Sequence, residues 1–149
     1  MIQTKRLLLR QWQPSDFPLF AELCADSEVM KYFPSTLSRA ESDDFVARIQ
    51  GLIAERGWGL WAVEVPGVSD FIGFVGLHVP KDYLPCSPCV EIGWRLAKPY
   101  WGKGYASEAA TAALDYAFTE LQLDEVLSFT AVANLPSAAV MKRIGMANT

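Results

Sequence analysis

Residues 101–106, Trp101-Gly102-Lys103-Gly104-Tyr105-Ala106, set two glycines one residue apart between two runs of opposite character. Before them, Cys89 to Leu96 reads as a strand. After them, Ser107 to about Leu121 reads as an amphipathic helix. A glycine-rich turn that opens a helix leaves the first-turn N–H groups without intrahelical partners. The helix dipole adds partial positive charge at the same place. Together they suit a phosphate or pyrophosphate, and glycine lets the backbone come close to it. Lys103 is not followed by Ser or Thr, so the turn is not a P-loop, and Ser107 stands where a dinucleotide fingerprint wants its last glycine. A helix entry with no ligand fits this turn equally well.

The rest of the chain reads as α+β. Thr4–Trp12 is expected as a first strand. A helix opens at Pro14-Ser15-Asp16 with Ser15 or Asp16 as its cap, and Asp26–Phe33 is a short second helix before Pro34. Ser38 to about Arg56 is a longer helix with Phe45, Ile49, Leu52 and Ile53 as its apolar stripe, stopped by Gly57. Trp58–Val65, Phe71–Val79 and Val90–Leu96 form a three-stranded antiparallel meander. A fifth strand, Glu125–Val132, follows the helix after the turn. That helix is a crossover, so the fourth and fifth strands are expected to be parallel. Pro136–Ile144 is a last helix, ended by Gly145.

Composition narrows the function. At 149 residues the chain is one domain with room for a core, and 51% apolar with 20% charged residues is globular. The net charge of −4 comes without a basic cluster, which argues against nucleic acid and mildly favours amine substrates. No apolar run reaches membrane-spanning length and Met1–Arg6 lacks a signal-peptide core, so we read the chain as cytoplasmic. Cys24, Cys86 and Cys89 are an odd count, and with His78 as the single histidine they do not complete a structural zinc site. No metal is expected.

Pro99 to Ala106, with Glu108-Ala109 after it, resembles the acetyl-CoA pyrophosphate loop of the GNAT N-acetyltransferases, most closely the RimJ/RimL-like branch. Gly104 and Ala106 fit that family's [QR]-x-x-G-x-[GA] pattern, with Trp101 where Gln or Arg is usual. Thr4-Lys5-Arg6-Leu7-Leu8-Leu9-Arg10 matches the T-x-R-L-x-L-R opening of that branch, and Asn134-Leu135-Pro136-Ser137 its N-x-x-S element. The resemblance implies a GNAT acyl-CoA N-acyltransferase fold: a mixed, mostly antiparallel sheet with flanking helices, whose central parallel strands splay apart to hold pantetheine. The family continues past Gly145-Met146 with two more strands, and this chain reaches Thr149 without them. We therefore expect a single domain, 1–149, truncated at its C-terminus. A free edge beside the fifth strand would be open to a partner chain such as a second copy.

The resemblance also implies the chemistry. Acetyl-CoA is the cosubstrate and the acceptor is a primary amine, either a protein N-terminal α-amine or a small molecule. An α-amine loses its proton more readily than a lysine. Backbone of Trp101, Gly102, Lys103, Gly104, Tyr105 and Ala106 would cradle the pyrophosphate, and Trp94, Arg95 and Leu96 would meet pantetheine. Lys103 either adds charge near the phosphates or is a solvated loop lysine. Asn134 would contact the cofactor arm or merely cap the last helix. Many GNAT branches place a tyrosine acid seven residues after this Asn; here that position is Met141, which leaves Ser137 or a water as the acid. Glu91, in the family-like run Glu91-Ile92-Gly93, is the candidate base, because a carboxylate among apolar strand neighbours titrates high. His78 is its rival. Tyr32 and Phe33 are candidates for touching the acceptor. The other reading is a CoA-binding module without turnover, kept open by Trp101 and Met141.

Overall fold

A computed structural model describes residues 2–31, 35–78 and 90–121, with His78 described for its backbone alone. Five strands form one sheet in sequence order, every neighbouring pair antiparallel: β1 (Ile2–Gln3), β2 (Leu8–Arg10), β3 (Leu60–Val65), β4 (Ser69–His78) and β5 (Glu91–Leu96). The helices are α1 (Asp16–Ala25), α2 (Arg39–Arg56) and α3 (Tyr105–Thr119). The expected parallel strand Glu125–Val132 and the last helix Pro136–Ile144 lie outside the described residues, as do Tyr32, Phe33, Cys86 and Cys89.

The meander and its order follow the pattern read from the sequence, and four details differ. The first strand is two short strands. Thr4 turns the chain between them: its N–H donates to the Leu7 carbonyl at 2.9 Å and its Oγ1 accepts from Leu7 N–H at 3.0 Å. A side chain that bonds the local backbone competes with a continuous ladder. Asp26 to Lys31 is turns rather than a helix: one capped turn closes there, with Met30 N–H donating to the Asp26 carbonyl at 3.0 Å and Asp26 Oδ1 accepting from Glu28 N–H at 2.9 Å, and a single turn is too short to propagate. The buried face of α2 is Ser42, Val46, Ile49 and Ile53, turned from the expected stripe so that Phe45 and Leu52 lie at its margins. Finally, α3 starts at Tyr105 rather than Ser107, with a short 3-10 turn at Lys98–Tyr100 before it. The ends of α2 are as expected: Ser38 and Glu41 form a reciprocal capping box and Gly57 closes the helix in the left-handed region.

Alternation along the strands sorts side chains onto two faces. Trp61, Val75 and Trp94 are in register across β3, β4 and β5, and the Trp61 ring meets Tyr116 of α3 at 5.3 Å. That is the α3 face. The helix reaches it closely because its buried residues are mostly alanine: Ala109, Ala110, Ala113 and Ala117, with Leu114. The opposite face meets α1 and α2 through an aromatic cluster. Phe20 packs edge-on to Trp12 at 5.2 Å and stacks on Phe45 at 5.6 Å, and Trp12 Nε1 donates to the Leu60 carbonyl at 2.9 Å.

One buried ion cluster joins the elements of that face. Arg10 is only 4% exposed. Its Nη1 and Nη2 donate to the two carboxylate oxygens of Asp16 at 2.7 and 3.1 Å, and its Nε donates to Glu64 at 3.0 Å. Nη2 also donates to the Asp70 carbonyl at the start of β4. Asp16 in turn accepts from Gln13 N–H at 2.8 Å, so it holds the entry to α1 as well. Removing one member strands the others in the interior. Asp16→Ala is expected to lower unfolding free energy by about 3–5 kcal/mol in urea titrations. Adding Arg10→Met to it should recover a large part of that loss, because the buried guanidinium is then gone and the carboxylate left behind, Glu64, is 25% exposed and reaches water.

Candidate active site

β5 leads into the glycine turn through the 3-10 turn, and Trp101 fastens the junction. Its backbone N–H donates to the Lys98 carbonyl at 3.0 Å, and its indole Nε1 donates to the Leu96 carbonyl at 2.8 Å. The residue is 42% exposed. Gly102 and Gly104 both lie in the left-handed region, at φ 73 and φ 81, and Gly104 is the N-cap residue of α3. That conformation is costly for residues with a Cβ, which is why two glycines are needed for so sharp a turn. Among the described residues, none of the N–H groups from Gly102 to Ser107 donates to a backbone carbonyl outside the helix ladder, and the first helical turn offers them none within it. Ser107 Oγ is buried with no partner among the described residues. The turn therefore presents a row of donors that no described backbone carbonyl uses, at the positive end of a 15-residue helix.

Two residues not singled out for this site hold the turn from behind. Arg6 Nη1 donates to the Lys103 carbonyl at 2.9 Å, and Arg6 Nε donates to Glu108 Oε1 at 2.7 Å. The sequence carried a signal for both, since Arg6 belongs to the T-x-R-L opening and Glu108 follows the turn. Nothing in their spacing, 102 positions apart, showed that they meet.

The strand residues separate by face. Glu91 pairs with His78, Gly93 with Gly76 and Arg95 with Phe74; Glu91, Arg95 and Phe74 lie on the α1/α2 side and Trp94 on the α3 side. Arg95 was expected to offer its backbone, and its side chain has a place of its own. Its guanidinium lies 5.4, 5.7 and 5.9 Å from the ring centres of Phe74, Phe45 and Phe20, and Nη1 donates to Cys24 Sγ at 3.4 Å. Burial lowers the Arg95 pKa from its ordinary value. Burial likewise raises that of the Cys24 thiol, with the nearby Arg95 charge opposing. The Leu96 carbonyl is taken by Trp101, as above. Lys103 is exposed.

Glu91 is half-buried, and burial lifts its carboxyl from 4.5 to about 7. A group with that pKa is divided between acid and base near neutrality, which suits proton transfer. Glu91 stands about 17 Å along β5 from Leu96 and the turn beyond it. Asn134 and Ser137 lie outside the described residues. Among the described residues there is no cluster of three or more His, Cys, Asp or Glu side chains able to hold a metal ion, and no helix long and apolar enough to cross a membrane.

Comparison with known proteins accounts for this arrangement. The family profile described as Acetyltransferase (GNAT) domain matches residues 6–147. An uncharacterized N-acetyltransferase of Bacillus subtilis, YnaD, is 36% identical over 148 residues, covering 97% of this chain and 81% of its own length. The crystal structure of a GNAT-family acetyltransferase from Bacillus anthracis superposes with a TM-score of 0.83 at 32% identity, covering 98% of this chain and 82% of that one. An acetyltransferase from Agrobacterium tumefaciens gives 0.83 at 29% identity, covering 97% and 81%. The antiparallel sheet with its flanking helices is thus the GNAT acyl-CoA N-acyltransferase fold, and the chain belongs to the GNAT family of acetyltransferases.

Proposed function

We propose that the chain moves the acetyl group of acetyl-CoA directly to a primary amine, as a single domain of the RimJ/RimL-like branch. The observation that carries this is the layout of β5. A glycine turn with unused N–H donors at a helix N-terminus stands at one end and a carboxyl with a pKa of about 7 at the other. A long substrate with phosphates at one end and a reactive thioester at the other fits such a strand.

In this reading the N–H groups of Gly102 to Ala106, with the Ser107 hydroxyl beside them, hold the pyrophosphate, and Lys103 adds charge. The outer edge of β5 around Trp94, Arg95 and Leu96 meets pantetheine, because half of the peptide groups of a strand face away from its ladder partner. Glu91 takes a proton from the acceptor ammonium. The neutral nitrogen attacks the thioester carbon, the C–S bond breaks, and the proton that the nitrogen sheds on becoming an amide passes through Ser137 or water to the departing thiolate. Asn134 contacts the arm of acetyl-CoA. The acceptor is an α-amine of a protein N-terminus or a small amine. The α-amine is favoured because a base near 7 deprotonates a group near 8 more readily than a lysine. Thiol release from acetyl-CoA, screened over N-terminal peptides and small polyamines, tests both the transfer and its acceptor. Absence of thiol release alongside tight acetyl-CoA binding would indicate a binding module instead.

Two outcomes check the site. A Cβ at Gly102 meets nothing within 4 Å, so Gly102→Glu sets a carboxylate at the turn without a clash. It should weaken acetyl-CoA binding by roughly 100-fold in calorimetry, through charge repulsion and the left-handed backbone. For Glu91, kcat/KM should fall tenfold per pH unit below about 7, where the carboxyl holds a proton. Glu91→Gln should abolish that limb and cut the rate by roughly 10²–10⁴-fold. If His78→Ala removes the limb instead, His78 is the base.

The same titration acts on stability. Between 4.5 and about 7 the folded state holds a proton on Glu91 that the unfolded chain has lost, so stability falls as pH rises through this window and levels off above it. In urea titrations, Glu91→Gln should therefore gain stability relative to the wild type at pH 8 and show little difference at pH 4.

A further inference from the structure

We propose that Arg6 and Glu108 are positioning residues for the phosphate turn: Arg6 fixes the Lys103–Gly104 peptide so that its N–H faces the anion, and cancels the charge of Glu108 beside it. This rests on the reading of the turn as the acetyl-CoA pyrophosphate site.

The geometry runs through one peptide plane. In a trans peptide the C=O and the following N–H point in opposite directions. Arg6 Nη1 holds the Lys103 carbonyl at 2.9 Å, so the Gly104 N–H points away from Arg6. Without that bond the 103–104 peptide, flanked by glycine, can rotate and turn its carbonyl toward the phosphates. The guanidinium is itself held in place. It lies 4.7 Å from the ring centre of Tyr105, and a Cβ at Gly104 would come within 3.2 Å of its Nη2, so Gly104 also leaves room for it.

The electrostatics explain why Glu108 needs this partner. It lies in the first turn of α3, and its N–H donates to the Gly104 carbonyl at 3.0 Å. A carboxylate there favours the helix by interacting with the dipole, yet it spends the same positive potential that attracts a phosphate. Here three donors converge on it. Arg6 N–H gives 2.9 Å to Oε2, Arg6 Nε gives 2.7 Å to Oε1, and the Thr4 hydroxyl also donates to Oε2. Burial alone would raise the Glu108 pKa; the bonds from Thr4 and Arg6 outweigh it and hold the group below its ordinary value. Glu108 is thus a charged carboxylate whose field is turned inward onto Arg6.

The test is acetyl-CoA calorimetry on the full chain and its variants, with thermal midpoints alongside. Arg6→Ala should weaken binding by about tenfold, equal to about 1.4 kcal/mol, by freeing the peptide and uncovering the Glu108 charge. Arg6→Ala/Glu108→Gln should regain about threefold of that, although its thermal midpoint is no higher than that of the single variant. A pair that serves stability alone gives no such recovery, so a double variant binding no better than Arg6→Ala overturns the proposal. Arg6→Lys keeps the charge without the fork and carries the test if Arg6→Ala does not fold. It should raise KM for acetyl-CoA by about threefold with kcat within about twofold of wild type, and unchanged KM counts against the proposal. Arg6→Ala binding like wild type while Gly102→Glu binds poorly removes the clasp and leaves the phosphate site standing. If Gly102→Glu also binds like wild type, both readings fall.

Discussion

The register of β4 against β5 decides which side of the sheet every functional group meets. With His78 opposite Glu91 and Phe74 opposite Arg95, the carboxyl and the guanidinium share the α1/α2 face, while Trp94 joins Val75 and Trp61 beneath α3. A slip of one residue would send Glu91 under the alanine face of α3 and bring Trp94 to the other side. The register is held because both faces are apolar: Val75 and Leu77 are fully buried on one, and Phe74 packs into the phenylalanine cluster on the other. Packing of the core and placement of the chemistry are therefore one constraint.

The parts of the fold legible in the sequence are those written in local chemistry. Ser38 and Gly57 marked α2 at both ends, and the continuous apolar run Phe71 to Leu77 marked β4. The glycine turn was legible because left-handed backbone demands glycine. Its family was legible because flanking residues on both sides agreed with one pattern, and the family match over 6–147 bears that out. Where local signals competed, they were misread. Asp26 caps a helical turn that stops after one round, and Thr4 bonds its own backbone and breaks the strand. The face of α2 was misjudged because Phe45 is the largest apolar residue in it, yet Val46 is the one fully buried.

Contacts between distant segments left no local trace. Arg10 with Asp16 is six residues apart, but its second carboxylate, Glu64, comes from another strand. Thr4 and Arg6 meet the start of α3 across about a hundred residues. The raised pKa of Glu91 was anticipated from its apolar strand neighbours, since desolvation depends on what covers a residue as much as on the residue itself. The phenylalanine cage around Arg95 was not, because its three rings come from three different elements.

The bond from Trp101 Nε1 to the Leu96 carbonyl has an optical consequence. It fixes one edge of the indole while leaving 42% of the residue in solvent at the rim of the glycine turn. Trp12 and Trp61, at 2% and 1% exposure, are shielded from water and will emit in the blue whatever happens at that rim. Trp58 and Trp94 are also partly exposed, so it is the red-edge emission and iodide quenching lost in Trp101→Phe that follow events at the turn, without any label.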